Sequence, residues 1–308
     1  MGIKDIKGAG SGRRAMAHAS AGGLKIASIK VLLTIISLAY ILPLAIIFSN
    51  SFMSQGEIAR NYGAAYDLFD HALIGQIHYV AFNFAPNIIS LEQYVTLLFK
   101  TPMYLHLLGN SMRMAIPIVL MQLAIGSAAA YGFVAWRSRY KEVLFCAYII
   151  MMVLPPQATL VANYIMADAL GILDTHSAIV LPWGCSPFCA FIMRQSMKGI
   201  HYSAFEAAQI DGAGHMRRLC HIALPLSKGG AASLAILSFA DCWAMVEQPM
   251  VFLKDAAMEP LSLALYKIGQ GNLGLIFAAS VFYMLPMVLV FLYGQEYLER
   301  GVKLSALK

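Results

Sequence analysis

The sequence predicts an all-α fold: a polytopic membrane protein with six transmembrane helices. Three observations predict it. Of 308 residues, 59% are hydrophobic and 12% charged, against roughly 25% charged in a soluble domain. Charge-free apolar windows recur along the chain, each near the roughly 20 residues a helix needs to cross a bilayer. The basic residues fall on one side of those windows. Such a composition leaves too little charge to cover a soluble globule, and it excludes disorder, collagen and coiled coil.

The windows set the elements in order. They are 31–48, 114–136, 143–167, 175–193, 229–246 and 268–295, the fifth interrupted by Asp241. The basic stretch before the first window resembles a secretory leader, but the apolar run is long and no small-residue cleavage site follows, so it reads as an uncleaved span. The glycines between Gly8 and Gly12 lack the strand and the Gly-Lys-Ser/Thr ending of a phosphate loop; they read as a tail.

Orientation follows from charge. Seventeen of the 22 basic residues lie in the N-terminal tail, in the 137–141 and 194–228 connections and after span six. This asymmetry places both termini in the cytoplasm and spreads the +6 net charge along membrane flanks, with no patch for nucleic acid. The expected division is a cytoplasmic tail (1–30), a first span (31–48), a long extracytoplasmic loop (49–105), a five-helix core (106–298) and a cytoplasmic tail (299–308). The outer loop is acidic overall and rich in aromatics, among them Tyr62, Tyr66, Phe69, Tyr79, Phe82, Phe84 and Tyr94. It reads as a folded element, either a docking surface for an aqueous partner or an interfacial cap.

Catalytic and metal chemistry find no support. The five cysteines lie mostly in apolar stretches and the eight histidines are dispersed. His176 alone is placed for an intramembrane proton role. No metal-ligand spacing, triad or carboxylate pair stands out.

The cytoplasmic stretch 198–228 is the informative one. Ser203 followed by Glu206 has the form of a capping box, so a short helix over 203–214 is expected. Ala207, Ala208 and Ala213 are small enough to let another surface approach, Gly212 permits chain reversal, and Pro225 interrupts the chain before span five.

Glu206-Ala207-Ala208, Gly212, Ile222 and Leu224-Pro225, seven typed positions over 20 residues, match the EAA signature of permease subunits of binding-protein-dependent ABC importers. The similarity runs over about residues 28 to 300. It includes Asn110-Ser111 at span two, Pro155-Pro156 in span three, the 171–175 connection, and Trp243 and Pro249 at the end of span five. The chain most resembles the carbohydrate branch, in particular the maltose-type permease partner with six spans. It departs from that branch at Ile200-His201-Tyr202, where a proline is usual, at Gly229-Gly230, where a proline often follows the lysine, and at Ala244, where asparagine often follows the tryptophan.

The resemblance implies the type I ABC importer permease fold in a bacterial inner membrane, and a sugar or oligosaccharide as cargo. A non-sugar solute is the alternative, and an ion-coupled secondary transporter the more distant one. It implies a second permease in a heterodimer, two cytoplasmic ATPases and an extracytoplasmic solute-binding protein. This chain would be no enzyme and bind no cofactor or metal; ATP and Mg would be used by the partner ATPase. Glu206, Ala207, Ala208, Asp211, Gly212 and Ala213 would couple to the ATPase.

Asp241 and Trp243 are the candidate pathway residues. A carboxylate beside an aromatic ring can hold a sugar, and an acid in a span should face protein or water. Alternatively, span five ends at Ala240 and Asp241 sits in the outer headgroup region.

Overall fold

The computed structural model describes residues 9–67, 85–136, 138–267 and 273–306. Residues 68–84, with Phe69, Tyr79, Phe82 and Phe84, lie outside the described residues, as do the side chains of the first 26 residues, of residues 63–67 with Tyr66, and of the last 11. The chain forms two compact units that meet in sequence between Leu91 and Glu92.

The first unit holds α1 (Ala9–Asn50) and α2 (Gln55–Asp67). The Ala27–Asn50 segment of α1 is long and apolar enough to cross a membrane. Ser54 starts α2: its Oγ accepts from the N–H of Glu57 at 3.4 Å, satisfying one of the orphan donors of the first turn. Glu57 is buried, and its Oε1 accepts from both the backbone N–H and the side-chain amide of Asn87 at 2.8 Å. Asn50 donates to the Tyr62 hydroxyl, and Ser90 N–H donates to Phe52 O at 2.8 Å. These hydrogen bonds tie residues 50–62 to residues 87–90.

The second unit contains α3 (Glu92–Val95), α4 (Met103–Ala135), α5 (Lys141–Val153), α6 (Pro156–Ala169), α7 (Ser177–Gly184), α8 (Pro187–Met197), α9 (Tyr202–Ile210), α10 (His215–Arg218), α11 (Leu224–Leu226), α12 (Lys228–Trp243), α13 (Glu247–Phe252), α14 (Leu261–Lys267) and α15 (Leu273–Ala306). Of these, α4, the α7–α8 segment and Leu273–Tyr297 are long and apolar enough to span.

Two helix pairs are sharply bent, one inside the expected third span and one at Ser227, just before the expected fifth. The pair α5 and α6 bends by 96° and the pair His215–Leu226 and α12 by 80°. The first break has a covalent cause. Pro155 and Pro156 have no N–H to donate, and a proline pushes the preceding residue out of the helical region. Leu154 (ψ 130°) and Pro155 (ψ 137°) are extended, and Pro156 opens α6 at its first turn, where proline is well suited.

α4 is the central post, packed on α7, α8 and α12. A Cβ at Gly126 would come within 2.9 Å of the Cys189 backbone, so glycine permits the closest approach of α4 and α8. Pro187 cannot donate to the Trp183 carbonyl in the usual helical way; that carbonyl accepts from Ser186 N–H at 3.2 Å and from the buried Gln122 of α4 at 2.7 Å. Its Oε1 in turn accepts from Ser238 of α12. One amide thus satisfies polar groups on two neighbouring helices where unpaired ones would be costly. At the far end of α8, Arg194 is buried. It donates to Glu142 at 2.6 Å and stacks over the Phe145 ring at 3.7 Å, joining α5 to α8.

Candidate functional site

The segment from His201 to Ser227 carries the densest set of sequence-predicted residues. The N-cap of α9 lies two residues earlier than the capping box predicts. His201 is the N-cap, in extended conformation, and makes no side-chain capping bond. Ser203 therefore lies inside the first turn. Packing explains the register: Tyr202 and Phe205 both join the cluster of Tyr131, Cys189, Met193, Met197, Leu219, Ala223 and Leu234, and burial of two aromatics outweighs a cap of about 1 kcal/mol.

The C-terminal end is a Schellman motif. Gly212 N–H donates to Gln209 O at 3.1 Å and Ala213 N–H to Ala208 O at 2.9 Å. Gly212 has φ +76°, the left-handed conformation that glycine adopts without steric cost. Chain reversal at Gly212 is thus as expected, and the helix stops at Ile210 with Asp211 as C-cap.

The three small residues do not form one outward face. Successive helical residues are separated by about 100°. Ala208 faces inward beside Phe205 and is 8% exposed, Ala207 is exposed, and Ala213 is half-buried in the reversal. The outward ridge is instead Glu206, Ala207, Ile210 and Asp211. Ile210 is 86% exposed, as is Met216 at 73%. The sequence reading missed these two large apolar side chains. Their signal was present: apolar residues in a polar connection, out of phase with Phe205.

The inner side of α9 is tied to the rest of the unit. Phe205 and Tyr131 meet edge to face with centroids 5.9 Å apart. The Tyr131 hydroxyl lies 3.3 Å from His215 Nδ1, and the buried Arg218 donates to Gln209 Oε1 at 3.1 Å. Beyond α10 the chain winds through a π turn (Leu219–Ala223) into α11. It then breaks at the buried Ser227, whose hydroxyl donates to Ala223 O at 2.6 Å. A Cβ at Gly230 would collide with the Ser196 side chain, so the departure at Gly229-Gly230 lets α12 rest against α8.

Asp241 and Trp243 are not brought together. α12 continues to Trp243, so the helix does not end at Ala240. Residues two apart point about 200° apart around a helix. Asp241 is exposed, whereas Trp243 is 3% exposed. Trp243 stacks between Phe239 and Tyr283 at 5.2 and 5.3 Å, and its indole N–H donates to Tyr283 O at 3.0 Å. That ring has no open face for a sugar. His176 has a structural contact too, its Nε2 lying 3.0 Å from Met258 O.

The connection 171–176 holds the segment after α13. Asp174 has φ +61°. Its Oδ1 accepts from the N–H groups of Lys254 at 2.8 Å and Asp255 at 3.0 Å. These donors, that of Asp255 foremost, hold its carboxyl below the usual aspartate range. Asn110 of α4 donates to Ala257 O at 2.7 Å and Glu259 O at 3.1 Å, and Ser111 Oγ accepts from Leu261 N–H at 2.9 Å.

Comparison with known proteins places this geometry in context. Residues 122–304 match the family described as "Binding-protein-dependent transport system inner membrane component". The arabinooligosaccharides transport system permease protein AraQ of Halalkalibacterium halodurans is 26% identical over 228 residues, covering 73% of this chain and 82% of that protein. The sn-glycerol-3-phosphate transport system permease protein UgpE of Yersinia pestis is 28% identical over 208 residues, covering 66% and 74%. Among solved structures, a chain of a bacterial ABC transporter involved in the import of the acidic polysaccharide alginate superposes with a TM-score of 0.73. It is 22% identical and the match covers 90% of this chain and 97% of that one.

Proposed function

Since this chain belongs to the binding-protein-dependent transport system inner-membrane components, a family of multi-pass permease subunits and not of enzymes, we propose that it forms half of the solute pathway of a carbohydrate importer. The cargo reading is supported by similarity to relatives such as the arabinooligosaccharide permease AraQ. The other half of the pathway would be a second, non-identical permease. Two ATPases would bind on the cytoplasmic side, and a solute-binding protein would deliver cargo from outside. Both termini would be cytoplasmic, with 49–105 extracytoplasmic and available to that binding protein.

One observation carries the coupling proposal: α9 is packed on its inner side and solvent-exposed on its outer side. Phe205 and Ala208 are buried against the unit while Glu206, Ala207, Ile210 and Asp211 are exposed. A helix of nine residues held this way acts as a handle. Force applied by an ATPase at Ile210 passes through Phe205 to α4 and through the π turn to α12. Glu206 and Asp211 would meet basic or amide groups, Ala207 would allow close approach, and Gly212 and Ala213 would fix the reversal.

The test is reconstitution of the complete transporter with Glu206→Lys. The assembly should form and hydrolyse ATP without stimulation by the loaded binding protein. Stimulation equal to that of the unmodified complex would refute the handle.

Asp241 is proposed to face water or the second permease, because an acid within a span cannot be left to lipid. Trp243 supports α12 from the inside.

A further inference from the structure

A cleft of about 320 Å³ lies between the start of α6 and the turn joining α12 to α13, within the range of small-molecule sites, about 300–1,000 Å³. Its position is unusual for a membrane protein. α5 has 13 residues and α12 has 16. The breaks that follow them therefore lie about 20 and 24 Å along the helix axes from the basic residues Lys141 and Lys228. With those lysines at one surface, both breaks fall inside a core about 30 Å thick. Non-helical backbone at that depth is tolerated only where protein covers it or where it lines water. Here two breaks, from two different spans, border the same opening.

Four polar side chains line the opening. Gln157, in the first turn of α6, donates its side-chain amide to both carboxylate oxygens of Glu247, at 3.3 and 3.0 Å. Both side chains are exposed to the cleft's solvent side. Trp183 donates its indole N–H to Gln248 Oε1, which fixes the back wall. Glu247 is the sole charged residue among those lining the cleft. The free lone pairs of its carboxylate, together with the Gln157 carbonyl, make an acceptor-rich surface beside the apolar Leu160 and Val246. Such a surface suits hydroxyl donors on an otherwise apolar ring and repels phosphate or uronate groups.

We infer that this cleft is a solute-contacting station, in which Glu247, oriented by Gln157, admits neutral polyhydroxyl solutes and turns away anions. The inference rests on the importer reading above and narrows it. Of the cargoes named for the relatives, it favours the neutral oligosaccharide type over glycerol phosphate or an acidic polysaccharide. It also moves the solute contact from the Asp241–Trp243 pair, whose ring is buried, to the turn just beyond it.

The test uses the complete complex in native membranes with Gln157→Cys. Two thiol reagents of similar size are applied, a methanethiosulfonate bearing a quaternary ammonium and one bearing a sulfonate. Modification of that one position is read by peptide mass spectrometry. The cationic reagent should react about tenfold faster than the anionic one, the low end of focusing by a charged cleft. Adding Glu247→Gln should bring the ratio close to one. Ala244→Cys, a small change on the same rim, serves as a second reporter if Gln157→Cys does not assemble. A ratio near one with Glu247 present, or no reaction at either position, overturns the inference. Trapping the ATPases with vanadate separates the two readings. A charge-selective reaction that trapping leaves unchanged would uphold the cleft and count against its coupling to ATP-driven import.

Discussion

The ring of Phe205 presents its edge to Tyr131, with centroids 5.9 Å apart and planes inclined at 65°, and this contact ties α9 to the central post α4. Phe205→Ala should therefore act on transmission. The truncation removes a buried side chain worth about 3–5 kcal/mol, spread over a locally packed cluster while the spans stay intact. The complex should remain in the membrane and keep its basal ATPase rate, and stimulation by the loaded binding protein should fall severalfold. Phe205→Leu, which refills most of the volume, should recover much of it. Equal stimulation in the Ala variant and the unmodified complex would show that α9 does not transmit through Tyr131.

Gly212 offers a graded test. A Cβ there would meet nothing within 4 Å, so any cost is conformational. Gly212→Ala should lose about 1–2 kcal/mol of local stability, Gly212→Asn less, and Gly212→Pro most, because it also removes the N–H that donates to Gln209 O. Proteolytic nicking after Arg217 should rise from Gly212→Asn through Gly212→Ala to Gly212→Pro. A flat series would mean that the Schellman turn is not what holds the reversal.

These two residues also show how far the sequence could be read. The short helix carrying Glu206, Ala207 and Ala208 and the reversal at Gly212 were legible because both are local structures, whereas the burial of Ala208 was not. The start of α9 was misjudged because Ser203 and Glu206 satisfy a local rule that the packing of Tyr202 and Phe205 overrides. The separation of Ala207 from Ala208, and of Asp241 from Trp243, follows from helical periodicity alone once both residues of each pair are known to be helical. The bends were half legible: two adjacent prolines announce a break, but its 96° angle depends on what α5 and α6 each pack against. Glu247 and Gln157 are 90 residues apart, a distance over which no spacing rule operates.

Asp174 should make the loop after α13 sensitive to acid. Its carboxyl titrates below the usual range because the ionised form accepts from Asp255 and Lys254. A depressed value means the tether is fully present above the unfolded-state pKa and is lost as pH falls through the lower folded value. Exchange at the amides of Lys254 and Asp255, corrected for intrinsic rate, should accelerate only in that acid window. In Asp174→Asn, which keeps an acceptor and tolerates positive φ, exchange should show no such step. An identical step in the Asn variant would assign it to another group.

Trp243→Ala should behave as a packing defect. It empties the slot between Phe239 and Tyr283, at a cost of about 3–5 kcal/mol, and should lower the melting temperature of the detergent-extracted complex. Trp243→Phe keeps the stack and loses the bond to Tyr283 O, about 1 kcal/mol. Solute preference should be the same in both. A changed preference in the Phe variant with an unaltered melting temperature would restore a pathway role to the ring.

Asp241→Asn should keep assembly and transport, because the exposed carboxylate becomes an amide that water or a partner can still bond. Asp241→Leu should impair transport by removing the polar contact. Normal transport in the Leu variant would place Asp241 against lipid headgroups.

The right-angled break at Leu154 bears on synthesis. α5 and α6 have 13 and 14 residues, about 20 Å each, and neither crosses a core of about 30 Å by itself. A nascent chain that has just delivered both limbs holds two half-length rods and the unpaired carbonyls between them. Its shelter includes α8, against which α5 seats through Glu142 and Arg194, and α8 has not yet been translated. Lateral release of this region into the bilayer must therefore wait for the following span, so the unit of insertion is the stretch from α5 to α8 taken together.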